Sequence, residues 1–471
     1  MGIVVLLNLL IKPAWIFTEQ EIQNQVGHEA FGLYAALYSL GLMLLSFSDL
    51  GLTQHITKSL AHDEHTVQAI FDQGFTLKAI LTVLYPLLVV GIGVALGYGP
   101  DALGWLLLLT VAQGFIQLLN FLRAYLQARQ QFNVDAVASI ADRMALLVVV
   151  SGFLFVQAIT LERFIYIRLV SAVLAFAVFF AIIGRMQGRA GARRLRFRWN
   201  TEAARTMLRH SLPFAIYTLL LTINTRTDQV MLERLAGDAQ AGLYAGAFRW
   251  VDASMMFLWT VMPIFFAKYV YHRHEPDEQQ HLFTAGHVIG ALPMWFVFLF
   301  SLFHGELFFV LFDQSSAAEI DLMTSCLQVL LSTAMLQGVF ANYSTLLAAT
   351  GYERHVSWLF LVGVVINVVL NFLFIPRYGA LAAAWASVVS LVAICLGYMW
   401  LVHRYLPQRP PYGVLGKLTL SGGVSYGVFW LTESLTAWPW FLTSTLAGVA
   451  LLGSAWGLGL FRRLDTVVRS S

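Results

Sequence analysis

The sequence predicts an all-α polytopic membrane protein of about fourteen transmembrane helices: two six-helix lobes related by pseudo-twofold symmetry plus two C-terminal helices. Three observations carry that prediction: scarce charge, apolar windows along the whole chain, and a one-sided distribution of Lys and Arg between them. Of 471 residues, 58% are hydrophobic and 12% charged, about half the 25% or so typical of a soluble chain. The mean hydropathy is +0.71. A chain so poor in charge cannot cover a water-facing surface and needs lipid around it.

Taken in order, windows of about 20 apolar residues, enough to cross about 30 Å of hydrocarbon, fall near 3–18, 31–53, 75–98, 104–127, 136–158, 163–184, 211–232, 241–267, 284–303, 322–349, 356–375, 379–402, 414–431 and 439–461. The first runs past Lys12 and Pro13 as an amphipathic segment and reads as a helix rather than a cleavable signal. The longest connection, 185–210, is Arg-rich and divides a first lobe, 1–184, from a second, 211–405; residues 406–471 hold two additional helices and a tail. The two cysteines, Cys326 and Cys395, fall in apolar segments and are expected as free buried thiols.

Orientation follows from the Lys/Arg asymmetry of the loops. With the N-terminus inside, one set of loops carries Lys58, Arg129, Arg185, Arg189, Arg193, Arg194, Lys268, Arg273, Arg354, Arg404 and Lys417, and the other only Arg163, Arg234 and Arg377. Both termini are therefore expected in the cytoplasm. A repeat runs through the chain: Phe31-Gly32-Leu33-Tyr34-Ala35 opens the second window and Ala241-Gly242-Leu243-Tyr244-Ala245 the eighth. Duplicated six-helix units in the same orientation are a known transporter design.

Charged side chains in lipid cost about 2.5–3.5 kcal/mol each and normally face a bundle interior or a wet cavity. Here they recur at helical spacing. Asn8, Lys12 and Glu19 share a stripe on the first helix, where Pro13 predicts a kink; Ser46, Asp49, Thr53 and Thr57 form one on the second. Gln113, Gln117, Asn120 and Gln127 align on the fourth with Arg123 beside them, and Arg143 and Arg168 lie on the fifth and sixth. The seventh carries Thr222, Arg226, Gln229 and Glu233, with Asn224 and Asp228 on the neighbouring face; the eighth carries Arg249 and Asp252. Such groups can also serve as glue between helices, and for any single residue the sequence leaves both roles open. Pooled, they predict a wet cleft whose first half is net cationic, suited to an anionic substrate through Lys12, Arg123, Arg143, Arg168, Arg226, Arg249, Gln117 and Asn120. Asp49 and Asp228 are the carboxylates placed for a coupling ion, or as fixed partners of a nearby Arg. No catalytic residue, phosphate-binding loop or metal-ligand spacing is present. The His272, His274 and His281 group reads as a solvated loop, and no cofactor or nucleic acid is implied.

Several motifs resemble the bacterial oligosaccharide flippases of the Wzx type. They are Lys12-Pro13-Ala14-Trp15-Ile16-Phe17, Phe31-Gly32-Leu33-Tyr34, Ser48-Asp49-Leu50-Gly51-Leu52, Leu212-Pro213-Phe214 and Asp228-Gln229-Val230-Met231-Leu232. The most specific is Asn367-Val368-Val369-Leu370-Asn371-Phe372-Leu373-Phe374-Ile375-Pro376-Arg377-Tyr378-Gly379, similar to the family's N-x-x-L-N…I-P-x-Y-G-x-x-G-A-A with Ala382 at the second glycine. The resemblance reaches residue 405 or so and implies the multidrug/oligosaccharidyl-lipid/polysaccharide exporter superfamily. It implies a flippase in the bacterial inner membrane that carries undecaprenyl-pyrophosphate-linked oligosaccharide outward for surface polysaccharide (lipopolysaccharide) synthesis by alternating access. Membrane lipids, a polysaccharide polymerase and a coupling proton or sodium are the implied partners. A peptidoglycan-precursor flippase or a drug/cation antiporter of the same fold are the alternatives; the antiporter calls for an acidic or aromatic cavity.

Overall fold

The structure, a computed structural model, describes residues 2–53, 67–128, 131–189, 197, 199–435 and 438–461. All its regular structure, among the described residues, is helical. In chain order the helices are α1 (Gly2–Val26), α2 (His28–Leu44), α3 (Val67–Ala95), α4 (Pro100–Ala128), α5 (Phe132–Phe155), α6 (Leu161–Arg189), α7 (Thr201–Ala236), α8 (Asp238–Tyr271), α9 (Pro276–His304), α10 (Ala317–Ala349), α11 (Glu353–Tyr405), α12 (Tyr412–Leu435) and α13 (Trp440–Gly457). At 53 residues, α11 would be about 80 Å long if straight, far beyond one bilayer crossing. It is two helices joined at Gly379, whose φ of 57° and ψ of −138° are not helical. Thus α11 contains both windows expected at 356–375 and 379–402, and fourteen helices result among the described residues.

The sidedness of burial is that of a membrane protein. Val83, Leu87, Phe155, Leu174, Phe372 and Trp456 are exposed, while Lys78, His287, Asn342, Asn367 and Asn371 are buried. Lipid accepts the apolar exterior, and polar groups must find partners inside. Nine helical segments among the described residues are long and apolar enough to span. With the fourteen-helix order, the chain is a multi-pass membrane protein.

It divides into two compact units, Met1–Gly242 and Leu243–Ser471. In the first, an aromatic core of Phe71, Phe75, Phe121, Tyr125 and Phe179 binds α3, α4 and α6. In the second, Val288 and Leu292 of α9 pack with Val339 of α10, Val414 and Leu418 of α12, and Leu451 and Ala455 of α13. The two C-terminal helices are therefore part of that unit's core. Cys326 and Cys395 are free and buried there. Helix extends into both ends of the Arg-rich connection: α6 reaches Arg189, and α7 starts at Thr201 behind Asn200, whose side chain accepts from the amides of Glu202 and Ala203.

The structure departs from the sequence reading where α2 ends. The second window was expected to stay helical to residue 53, yet α2 stops at Leu44 and a 3₁₀ turn, Leu45–Ser48, follows. Leu50 and Gly51 then take positive φ, 44° and 75°. The Ser48 hydroxyl donates to the Leu45 carbonyl, the local competition with helical bonding that serine offers. Ser46 and Asp49 therefore share a turn and not a helical stripe, and Thr57 lies outside the described residues.

Candidate functional site

The polar interior of the first unit starts at two matching corners. Gly27, with φ 85°, separates α1 from α2, and Gly237, with φ 89°, separates α7 from α8. Both take a conformation that favours glycine. Gly27 stands to Gly237 as Gly32 stands to Gly242 and Tyr34 to Tyr244, at one constant spacing, so the duplication read from the sequence extends to backbone geometry. Just beyond the corners the helices cross with almost no gap. A Cβ on Gly32 would lie 1.9 Å from the Asp238 carbonyl oxygen, and one on Gly242 would lie 1.9 Å from that of His28. Polar side chains secure the crossing: Gln23 donates to the Gly242 carbonyl at 2.8 Å, and Gln229 to the Ala241 carbonyl at 2.8 Å. Beside it, Tyr98 donates to Glu233 at 2.6 Å, and the Arg234 guanidinium lies over the Tyr98 ring, 3.9 Å from its centroid. Its hydrogen bonds to Glu233 raise the Arg234 pKa above the ordinary value.

Deeper in the unit, Arg168 of α6 is buried in an aromatic cage. Its Nη1 donates to the Tyr34 hydroxyl at 2.7 Å, and Cζ lies 4.4 Å from the Tyr38 ring centroid, 5.6 Å from Phe164 and 5.9 Å from Trp15. Glu19, from the polar stripe of α1, stands 3.9 Å away. A planar cation suits such a site, because guanidinium stacks on rings and still presents donors at its edge. Trp15, Glu19 and Tyr38 are only partly buried, so this fixed positive charge sits behind a polar and aromatic lining. The Tyr85 hydroxyl lies 2.5 Å from Gln113 Oε1 and 2.8 Å from the Gly41 carbonyl, tying α3, α4 and α2 together.

A second cluster joins α4 to α5. Arg123 Nε donates to Asp135 at 2.8 Å, Arg123 Nη1 to Asn120 at 3.4 Å, and Gln127 to the same Asp135 at 3.0 Å. Gln117 is half-buried on α4 and Arg143 is exposed on α5. Arg226 is half-buried and Asp228 buried on α7; Arg249 is buried on α8, in the second unit. Lys12 and Pro13 lie on α1, which is continuous through both, but their side chains are outside the described residues. The expected site residues thus occur as separate groups: Arg168 with Glu19, and Arg123 with Asn120.

Asp49 sits on the turn that ends α2. It pairs with Lys78 of α3 and accepts from Thr53. The sequence reading missed Lys78 and Asp135. Lys78 falls inside the third apolar window, and a lysine there is the signal that points to a buried partner. Asp135 opens α5, where an acid is ordinary helix-terminus chemistry and raised no flag. Among the described residues no group of three His, Cys, Asp or Glu is arranged to hold a metal.

The second unit has its own polar core. Asn342 of α10 donates to the Phe283 carbonyl at 2.7 Å and accepts from Tyr269 at 2.6 Å, beside His287 of α9. Gln408 donates to Gln279 at 2.8 Å. These contacts join helices within the unit, and none involves an expected site residue.

Three likenesses to known proteins accompany this geometry. The chain is 23% identical over 394 residues to an uncharacterized membrane protein, MJ1375, of Methanocaldococcus jannaschii, covering 79% of this chain and 89% of that one. Its fold matches that of the lipid II flippase MurJ in an inward closed conformation, with a TM-score of 0.78, 13% identity, and coverage of 99% of this chain and 100% of the other. An inward-facing multidrug resistance MATE transporter matches with a TM-score of 0.66 and 15% identity, over 83% of this chain and 94% of that one. Residues 2–269 match the family described as polysaccharide biosynthesis protein. That span is more than half of the sequence, and the chain belongs to the polysaccharide biosynthesis protein family.

Proposed function

We propose that this protein flips an undecaprenyl-pyrophosphate-linked oligosaccharide from the cytoplasmic to the periplasmic leaflet of a bacterial inner membrane, by alternating access, for surface polysaccharide synthesis. The observation that carries the proposal is the extent of the fold match combined with the family. The likeness to a lipid II flippase covers 99% of the chain, α12 and α13 included, whereas the likeness to a drug transporter covers 83%. In the inherited design the prenyl tail stays in lipid while the head group crosses. A pyrophosphate needs fixed cations, and guanidinium forks match phosphate oxygens. We assign that role to Arg168, Arg123, Lys12, Arg143, Arg226 and Arg249, with Gln117 and Asn120 for sugar hydroxyls. Asp49 and Asp228 are the candidates for a coupling proton or sodium, and a polymerase outside removes the product. The lobes are taken as 1–184 and 211–405, with both termini in the cytoplasm.

A second reading, a peptidoglycan-precursor flippase, draws on the same fold match and shares the pyrophosphate chemistry. Proteoliposomes loaded with either fluorescent lipid-linked oligosaccharide or fluorescent lipid II separate the two. Flipping of the oligosaccharide, with loss of surface polysaccharide in a deletion strain that grows normally, is the expected outcome. Flipping of lipid II alone, with lysis on depletion, replaces the first reading by the second. Movement of neither cargo overturns both.

A further inference from the structure

The side chain that meets Asp49 is itself a cation. Lys78 is fully buried, at 0% exposure, whereas the Asp49 side chain keeps 18%. The ammonium therefore approaches the carboxylate from the protein side, and whatever reaches the pair from outside meets Asp49 first. The same carboxylate oxygen also accepts from Thr53. The turn that presents Asp49 is fixed from several directions. Ser46 is hydrogen-bonded to Thr218 at 3.1 Å, Thr222 donates to the Met43 carbonyl at 3.2 Å, and Leu52 packs with Leu77 and Met207. Lys78 is the next residue after Leu77, so the helix that carries the ammonium is locked to the turn that carries the carboxylate.

A sodium ion binds through several oxygens, and a carboxylate draws it in by the negative charge it has free to offer. At Asp49 the charge is already cancelled, and a second cation on that carboxylate would sit within a few ångströms of the ammonium, in a setting that screens poorly. We propose that Lys78 is a tethered cation that fills the coordination position of Asp49, so that this carboxylate admits no sodium ion while the ammonium is in place. The inference refines the coupling role given to Asp49 in the proposed flippase and removes sodium from it.

The test uses the purified full-length chain in detergent, with thermal unfolding followed in sodium chloride and in choline chloride at equal ionic strength. No cargo is needed, so its outcome is independent of the flipping assay. Wild type and Lys78→Arg are expected to show no sodium-specific rise in Tm that depends on Asp49. Lys78→Met should gain a rise of several degrees, because binding to the folded state alone stabilises it by mass action, and Asp49→Asn/Lys78→Met should lose it again. A sodium-specific shift in wild type that disappears in Asp49→Asn overturns the proposal, as does a folded Lys78→Met that ignores sodium. Should Lys78→Met fail to fold, the comparison of Asp49→Asn with the double variant decides. Asp49→Asn strands the buried ammonium and should melt lower than the double variant, and an Asp49→Asn protein as stable as wild type refutes the pairing.

Discussion

Replacing Gly32 by alanine tests the close helix crossing in the first unit. The added methyl would fall 1.9 Å from the Asp238 carbonyl oxygen, where ordinary contact begins at 3.4 Å, so α2 and the start of α8 must part by about 1.5 Å, an overpacking that costs about 1–3 kcal/mol. Separation also lengthens the Gln23 bond to the Gly242 carbonyl, worth about 1 kcal/mol. Together these come to about 2–4 kcal/mol, or a factor of roughly 30 to 1,000 in a two-state population. Under the proposed alternating access, the cost falls on the state that contains this crossing. Spin labels at Glu29→Cys and Ala239→Cys, with Cys326 and Cys395 replaced, flank the contact and report it by pulsed electron resonance. A short, narrow distance distribution is expected before the change and a longer, broader one after it. Gly242→Ala should behave alike, since its methyl would meet the His28 carbonyl at the same 1.9 Å. An unchanged distribution and an unchanged Tm in folded Gly32→Ala would refute the reasoning.

Three other outcomes follow from the same geometry. Arg168→Lys keeps the charge but loses the bond to Tyr34 and the stacking on Tyr38, so thermal unfolding should show a loss of about 1–3 kcal/mol and flipping should slow. Arg123→Ala breaks a partly exposed pair with Asp135 and should cost less than about 1 kcal/mol; surface polysaccharide should nevertheless be lost at normal protein abundance, and normal polysaccharide would remove Arg123 from the cargo path. A cysteine at Ser315 should react with a membrane-impermeant maleimide in intact cells, and one at His274 only after the cells are opened; the reverse pattern inverts the orientation.

The helices were legible because lipid imposes a single rule, about 20 apolar residues per crossing, and each of the fourteen windows has its helix. Their ends were less so. Helical periodicity continues on paper through Ser46 and Asp49, but the turn there depends on the Ser48 hydroxyl and the left-handed Leu50 and Gly51, which no periodicity encodes. The corners at Gly27 and Gly237 were likewise hidden, because each rests on one glycine with positive φ that no periodicity marks. A polar stripe located Glu19, and a lone cation in an apolar window located Arg168, on helices whose side chains do meet, because both signals belong to each helix alone. Partnership does not. Lys78 with Asp49, and Arg123 with Asp135, needed the packing of two helices to become visible.

The most recognisable stretch of the sequence, from Asn367 to Gly379, is in the structure a piece of carpentry. Asn371 is hydrogen-bonded to Asn367 at 3.0 Å inside the protein, Pro376 lies within the first run of helix, and Gly379 turns the chain before Ala380, Ala382, Ala383 and Ala384 are buried in the next. A β-carbon at Gly379 would be forced into a backbone conformation that L residues rarely adopt, and larger side chains at the alanines would push the following helix off its neighbours. The stretch therefore labels a joint, a matter of backbone geometry and packing. Kinship inferred from it speaks to how the walls are framed. The cargo path proposed above rests on other residues, the less conspicuous polar side chains of α1, α4, α5, α6, α7 and α8, and none of them lies in the joint.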